Sequence, residues 1–186
     1  VPEVFKNIKK FLKKKLNLKV KELKQFNLSK KLKIDVNKKQ VGSDRLANAI
    51  SVINNKDNFI ILDFGTATTF DVVLKNRYKG GIIAPGVNLS LKTLVEKAKL
   101  IPNIKLSKIK NIIGKNTQNA VKSGFYWGYQ GLIKNLINLI EKKNKKKFKI
   151  IFNEKLTKLY KNTIKKKIKV DKDLTIKGLL KLVVTK

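Results

Sequence analysis

Cysteine, histidine and methionine are absent from this 186-residue chain, and proline occurs three times. Without cysteine and histidine there is no disulfide, no zinc–thiolate site and no imidazole metal site. A cysteine nucleophile and a Ser-His-Asp triad are excluded as well. General base chemistry then falls to a carboxylate, with lysine or tyrosine as weaker choices. Any metal must be a hard cation held by oxygen, such as magnesium or potassium. With no methionine, Val1 is not a start-codon product, so the chain is expected to be processed or a fragment of something longer. There is no signal-peptide pattern, and no apolar run approaches the roughly 18 residues of a membrane span. No membrane is expected as a partner, and the lack of cysteine fits a reducing cytoplasm.

Arginine is scarce. Of 45 basic residues only Arg45 and Arg77 are arginine, and with 12 acidic residues the net charge is +33. A charge of that size raises nucleic acid or an anionic membrane as a partner. Proteins that grip phosphate backbones use arginine freely, because its planar fork matches the anion. Here lysine, asparagine and isoleucine rise together along the whole chain, as A- and T-rich codons would produce in any protein. Solvated lysine faces are the favoured explanation, nucleic acid is disfavoured as a partner, and a polyanion-binding basic module remains a third alternative. Hydrophobic residues make up 42% of the chain, enough to bury a core.

The chain is organised around Asp63-Phe64-Gly65-Thr66-Ala67-Thr68-Thr69-Phe70-Asp71, which follows the apolar run Phe59–Leu62. That run reads as a short buried strand. Gly65 permits a tight turn, after which backbone N–H groups and the hydroxyls of Thr66, Thr68 and Thr69 are expected on one side. Such a convergence makes an anion site, and phosphate is the usual anion. Asp63 at the strand end can hold a cation beside it. The competing explanation is an ordinary β-hairpin, with glycine in the turn and threonine chosen for strand propensity.

Before this stretch, Pro2 opens a helix whose Val4, Phe5, Ile8, Phe11, Leu12 and Leu16 recur at helical spacing, expected to pack on a domain. Leu18–Leu23 reads as a strand, and 33–36 as extended. Val41-Gly42-Ser43-Asp44-Arg45 leads into a helix, with Asp44 placed as its cap. After the central turn come strands over 68–74 and 78–84, and Gly80-Gly81 inside the second calls for a close approach by backbone or ligand. A helix follows Pro85-Gly86. A long helix then opens at Asn116 or Thr117 and runs to about Glu141. Gly124, Gly128 and Gly131 inside it predict a second helix packed against that face. Strand 148–153, helix 154–162, strand 164–170 and helix 174–184, capped by Asp171 or Asp173, complete the chain. From residue 59 the order is β-β-β-α-β-α-β-α with an extra helical segment, the order of a ribonuclease-H-like α/β domain.

These motifs together resemble type III pantothenate kinases, members of the actin-like, acetate-and-sugar-kinase superfamily. The matching residues are Val41–Arg45, Asp63–Thr69, Gly80-Gly81-Ile82-Ile83-Ala84-Pro85-Gly86, Ile113-Gly114-Lys115-Asn116-Thr117, Ser123-Gly124 with Gly128, and Asp173–Leu179. Their order and spacing agree over nearly the whole chain. The resemblance implies a ribonuclease-H-like (actin-like ATPase) domain at 56–186, preceded at 1–55 by the C-terminal part of a first such domain. It implies ATP-dependent phosphorylation of pantothenate, the first step of coenzyme A synthesis, in a cytoplasmic homodimer. By the same resemblance Asp44 is the general base, and Gly42, Ser43, Asp44, Arg45 and Thr117 contact pantothenate. Gly65 and Thr66 contact ATP, Asp63 holds a monovalent cation (potassium or ammonium), and magnesium accompanies the nucleotide. Phosphoryl transfer asks mainly for positioning and charge neutralisation, which a chain without histidine or cysteine can supply.

Two departures from the family pattern stand out. The family's opening strand and Asp-x-Gly-Asn-Thr phosphate loop have no counterpart here, so this chain alone is expected to be inactive. Its Thr-Gly-Gly turn reads Asn153-Glu154-Lys155. The second departure motivates an alternative, a non-catalytic remnant acting through pantothenate or protein binding.

Overall fold

A computed structural model describes residues 2–18, 20–153, 157–160, 164 and 166–184. At its centre is a hairpin of β2 (Asn58–Phe64) and β3 (Ala67–Leu74), in which Asn58 pairs with Leu74 and Phe64 with Thr68. β2 forms from an almost unbroken apolar run because both of its faces are covered: Ile60, Ile61 and Leu62 are all fully buried. The sheet adds β1 (Lys33–Ile34), β4 (Arg77–Pro85), β5 (Lys149–Phe152) and β6 (Ile168–Val170) in the order β1-β4-β3-β2-β5-β6. β2, β3 and β4 are antiparallel neighbours, whereas β5 pairs parallel with β2 and β6 with β5. Counted from β2, the spatial order is third, second, first, fourth, fifth, which is the ribonuclease-H-like arrangement read from the sequence.

Strand alternation divides the core into two clusters. On one face Phe59, Ile61, Val73, Tyr78 and Ile151 pack against α2 (Ser43–Val52) and α6 (Leu174–Val184) through Ala47, Ile50, Leu174 and Leu182. Leu23, Leu28, Leu32 and Val41 join the same cluster, so one core runs across residue 55. On the other face Ile60, Leu62, Phe70 and Ile150 meet α3 (Val87–Lys97) and α4 (Thr117–Asn144) through Val87, Ile133, Ile137 and Ile140. Tyr160 of the short α5 (Thr157–Tyr160) closes that cluster and stacks on Phe64. The tightest helix contact is between α2 and α6, where a Cβ on Gly178 would stand 1.9 Å from the Ala47 carbonyl oxygen.

Several expectations are corrected. Among the described residues of Leu18–Leu23 there is no strand. Asn17 turns the chain at φ 49°, and Glu22 and Gln25 fold the following residues into a 3-10 turn at Leu23–Gln25. Those local hydrogen bonds prevail over an extended segment with no neighbour to pair with. The helix α1 (Pro2–Leu16) forms, but its apolar stripe is not packed: Val4, Ile8, Phe11 and Leu16 are each more than half exposed. Among the described residues no helix packs against Gly124, Gly128 or Gly131; a Cβ at any of them would meet nothing within 4 Å. The expected helix 154–162 appears as α5, and its remainder lies outside the described residues. Of the two candidate caps of α6, Asp173 stands at the helix start, its carbonyl accepting the Lys177 N–H at 2.9 Å, and the side chain of Asp171 bonds no backbone N–H of the first turn. Its Oδ1 accepts from the Asp173 N–H, and both its oxygens from Lys177.

Candidate active site

Gly42 is the N-cap of α2, and its carbonyl accepts the Leu46 N–H at 3.2 Å. Asp44 lies in the first helical turn rather than at the cap, because no side chain caps this helix. Its carboxylate folds back over Gly42: a Cβ at 42 would stand 2.4 Å from Asp44 Oδ1. Glycine is thus required so that the carboxylate can occupy that place. Gly42, Ser43 and Asp44 are all exposed. A carboxylate on the first turn of a helix lies beside its positive end, where a negative charge is favoured.

Arg45, next in the chain, turns inward instead. Its Nε donates to Asp71 Oδ1 at 2.9 Å, and its Nη2 lies 2.7 Å from the same oxygen. Asp71 is fully buried on β3, and the fully buried Tyr78 also donates to that oxygen, at 2.5 Å. Burial, the largest single effect, works against the Arg45 charge, but the hydrogen bond to Asp71 and the nearby charges of Asp71, Tyr78 and Asp44 together outweigh it and raise the guanidinium pKa. Burial also pushes the Asp71 carboxyl upward, opposed by the donors of Arg45 and Tyr78. Tyr78 is pushed far above its ordinary range by burial and by the Asp71 charge, so it remains a protonated donor. The charge of Asp44 reaches Arg45, Asp71 and Tyr78 alike, which places the four groups in one electrostatic neighbourhood.

Gly81 explains the close approach its position called for. It pairs with Asp71, and a Cβ there would stand 2.5 Å from Arg45 Nη2 and 2.2 Å from the Phe70 carbonyl oxygen. Gly80 has φ +101°, and the register shifts beside it between Val72 and Val73. This bulge puts Tyr78 and Gly81, three residues apart, on the same face of the sheet.

Two residues further along that face, about 7 Å, β2 presents Asp63 opposite Thr69. Asn153, just after β5, donates its Nδ2 to Asp63 Oδ2 at 3.2 Å. The Thr69 hydroxyl and the Asn153 side-chain oxygen are shielded from solvent and make no hydrogen bond among the described residues. One carboxylate with two unmatched neutral oxygens beside it is a donor set suited to a hard cation of low charge. Among the described residues no group of three or more His, Cys, Asp or Glu could hold a metal ion.

The hairpin turn between β2 and β3 is Gly65-Thr66, and both residues are exposed. Gly65 does not use a positive φ; among the described glycines only Gly80 does. What holds the turn is Gly86, whose N–H donates to the Thr66 carbonyl at 3.1 Å and whose missing side chain leaves room for both turn carbonyls. The nearest atom to a Cβ at Gly65 would be 3.9 Å away, so the space beside the turn is open. The three threonine hydroxyls do not converge as expected. Thr69 lies on the Asp63 face, Thr68 is buried with Phe64 on the other face, and Thr66 stands at the tip. Strand alternation forces this, because adjacent residues point to opposite sides.

Thr117 is not brought to this cluster. It follows the N-cap Asn116 at the start of α4, on the opposite face of the sheet, and no hydrogen bond among the described residues links it to Asp44 or Arg45. Two hollows of the surface lie elsewhere. One of about 490 Å³ beside α1 is lined by Lys9, Lys13 and Leu18, and an apolar groove of about 410 Å³ between α3 and α4 by Leu94, Phe125 and Leu132. Gly42, Ser43 and Asp44 themselves stand exposed at the surface.

Sequence reading had passed over Asp71 and Tyr78 as site residues, and had not given Thr69 and Asn153 to the cation. One signal was available for Asp71, an aspartate inside the strand Ala67–Leu74 where every other position is apolar or threonine. Tyr78 carried none, because the bulge that turns it inward is not written in the alternation.

Comparison with known proteins adds an independent line. Residues 1–139 match the family model for type III pantothenate kinase. A type III pantothenate kinase of Pelagibacter ubique is 60% identical over 181 residues, covering 97% of this chain and 73% of that protein. Those of Sulfurihydrogenibium and Ruegeria are each 40% identical, covering 96% and 76% of this chain and 72% and 55% of their own lengths. A solved structure from Campylobacter jejuni, described as a Baf family transcriptional activator, superposes with a TM-score of 0.65 at 22% identity. It covers 96% of this chain and 77% of its own, and supports the fold alone.

Proposed function

The chain belongs to the type III pantothenate kinase family, the ATP-dependent phosphotransferases of coenzyme A synthesis, and on that premise we propose that Asp44 is the base for phosphoryl transfer to pantothenate. The observation that carries this reading is an exposed carboxylate held over Gly42 at a helix N-terminus, one residue from the half-buried Arg45 and its buried partner Asp71. Asp44 accepts the proton of the pantothenate primary hydroxyl as that oxygen bonds to the γ-phosphorus of ATP. The bond from γ-phosphorus to the β,γ-bridging oxygen breaks, and ADP leaves. Little covalent work is asked of the protein, so orientation and charge matter most.

Gly42, Ser43 and Arg45 hold pantothenate beside the base. Gly65 and Thr66, in an open turn fixed by Gly86, meet the phosphates of ATP. A potassium or ammonium ion fits at Asp63 with the unmatched oxygens of Thr69 and Asn153, where it would offset phosphate charge. Magnesium needs no cage of its own, since it is ordinarily held by one or two carboxylates plus substrate phosphates. Its place here is on the nucleotide. ATP supply places the reaction in the cytoplasm, and no helix among the described residues is long and apolar enough to cross a membrane.

Thr117 completes the pantothenate contacts only if it comes from a second copy, because within one copy it lies across the sheet. A homodimer through the α3–α4 groove fits this: Gly124 and Gly128 leave α4 open there, and Trp127 and Leu94 stand partly exposed beside it.

The test is a steady-state kinase assay on the purified complete gene product, including whatever precedes Val1. Asp44→Asn should lower kcat by roughly 10²- to 10⁴-fold while leaving the unfolding midpoint unchanged, since the Asp44 carboxylate is exposed. Full activity in the variant refutes the role given to Asp44. Pantothenate binding by the wild type without turnover favours the non-catalytic alternative. The turn that motivated that alternative, Glu154-Lys155, lies outside the described residues.

A further inference from the structure

We propose that Asp71 and Tyr78 are positioning residues, which clamp one edge of the Arg45 guanidinium so that its other edge faces the pantothenate carboxylate. The proposal rests on the kinase reading above. Its first support is the lopsided pairing of Asp71. Arg45 Nε, Arg45 Nη2 and the Tyr78 hydroxyl all converge on Oδ1, while the buried Oδ2 has no hydrogen-bond partner among the described residues. A pair kept only for stability would match both oxygens, since an unmatched buried oxygen and a buried charge each oppose folding. Here the carboxylate is arranged around the arginine rather than around its own needs.

The second support is what Arg45 has left over. A guanidinium carries five N–H donors in a rigid plane. Asp71 engages the Nε–Nη2 edge, and Nη1 has no hydrogen-bond partner among the described residues. The side chain keeps 14% exposure, so part of it is reachable from solvent. A planar donor edge held in place matches a carboxylate, the anionic end of pantothenate.

The third support is how much backbone serves the clamp. The bulge at Gly80 brings Tyr78 and Gly81 to one face, and the absent side chain of Gly81 leaves room for Nη2 and for Asp71 Oδ1, which would stand 2.5 and 3.1 Å from a Cβ. Two glycines inside a strand weaken it unless something comes close. Arg45 is what comes close. Because Asp44 is adjacent in the same helical turn, fixing Arg45 also fixes the substrate's distance from the base.

The experiment uses the purified complete gene product, including whatever precedes Val1, and measures kcat and both KM values for Tyr78→Phe, Arg45→Lys and the double variant. Tyr78→Phe removes one oxygen and keeps the ring, so the fold is retained. The expected result is a pantothenate KM raised roughly three- to tenfold, with the ATP KM unchanged and the protein still folding cooperatively. In the Arg45→Lys background Tyr78→Phe should add nothing, because the tyrosine acts through the arginine. An unchanged pantothenate KM overturns the proposal. So does an additive double variant, or a loss of folding in Tyr78→Phe, which would make the tyrosine structural. Wild-type protein that does not phosphorylate pantothenate overturns the kinase reading, and this role with it. Active wild type with a silent Tyr78→Phe overturns this role alone.

Discussion

Replacing Gly178 with alanine should unseat α6 from α2. A Cβ at 178 would lie 1.9 Å from the Ala47 carbonyl oxygen and 2.6 Å from its carbon. A methyl carbon approaches a carbonyl oxygen to about 3.3 Å at closest, so the helices must part by roughly 1.4 Å. The obstacle is backbone, not the end of a flexible side chain, and no rotamer change can relieve it. Parting the helices loosens Ala47, Ile50, Leu174 and Leu182 together, all of them buried in one cluster. Overpacking of this kind costs about 1–3 kcal/mol, and a rigid obstacle puts Gly178→Ala at the upper end, roughly 2–4 kcal/mol. For a chain of this length that is a fall in Tm of about 4–16 °C. Gly131→Ala is the control. It lies on an exposed face of α4 with nothing within 4 Å of a Cβ, and should gain up to about 1 kcal/mol from helix propensity. Thermal and urea unfolding of the two variants should therefore shift in opposite directions. A Gly178→Ala protein within about 0.5 kcal/mol of wild type, the range of a neutral surface change, would refute the reasoning.

Two further outcomes are expected besides those of Asp44 and Tyr78. Asp63→Asn should abolish any stimulation of activity by potassium and any rise in Tm that potassium gives the wild type; a variant that still responds like wild type removes Asp63 from the cation site. Gly128→Arg should fold normally, because a Cβ there meets nothing within 4 Å, yet sediment as a monomer where the wild type sediments as a dimer. A monomeric wild type refutes the proposed pairing surface.

Much of the fold was legible because its signals are local. The run Phe59–Leu62, the alternation through β3 and β4, and the glycine and proline stops between elements lie within a few residues of what they determine. The strand and helix order from residue 59 followed from them. Local signals misled where nothing nearby shows what a segment will touch. The stripe of α1 has helical spacing whether or not a partner covers it, and the glycines of α4 look alike facing a helix or open space. At Leu18–Leu23 alternation was present, but a strand also needs a neighbour, and none was there.

The candidate site divides in the same way. Absence of histidine and cysteine left carboxylates as the chemical bases, and Gly42–Arg45 and Asp63–Thr66 were conspicuous by residue type and spacing. Those conclusions need only composition and order along the chain. Which carboxylate faces solvent and which is buried was decided by tertiary structure. So was the meeting of Arg45 with Asp71, 26 residues away, and of Asp63 with Asn153, 90 away. The separation of Thr68 from Thr69 and the inward turn of Tyr78 depend on strand pairing and on one bulge. The physical reason is that residue type and periodicity belong to the chain itself. Convergence of side chains belongs to the sheet, which exists only after distant segments have paired.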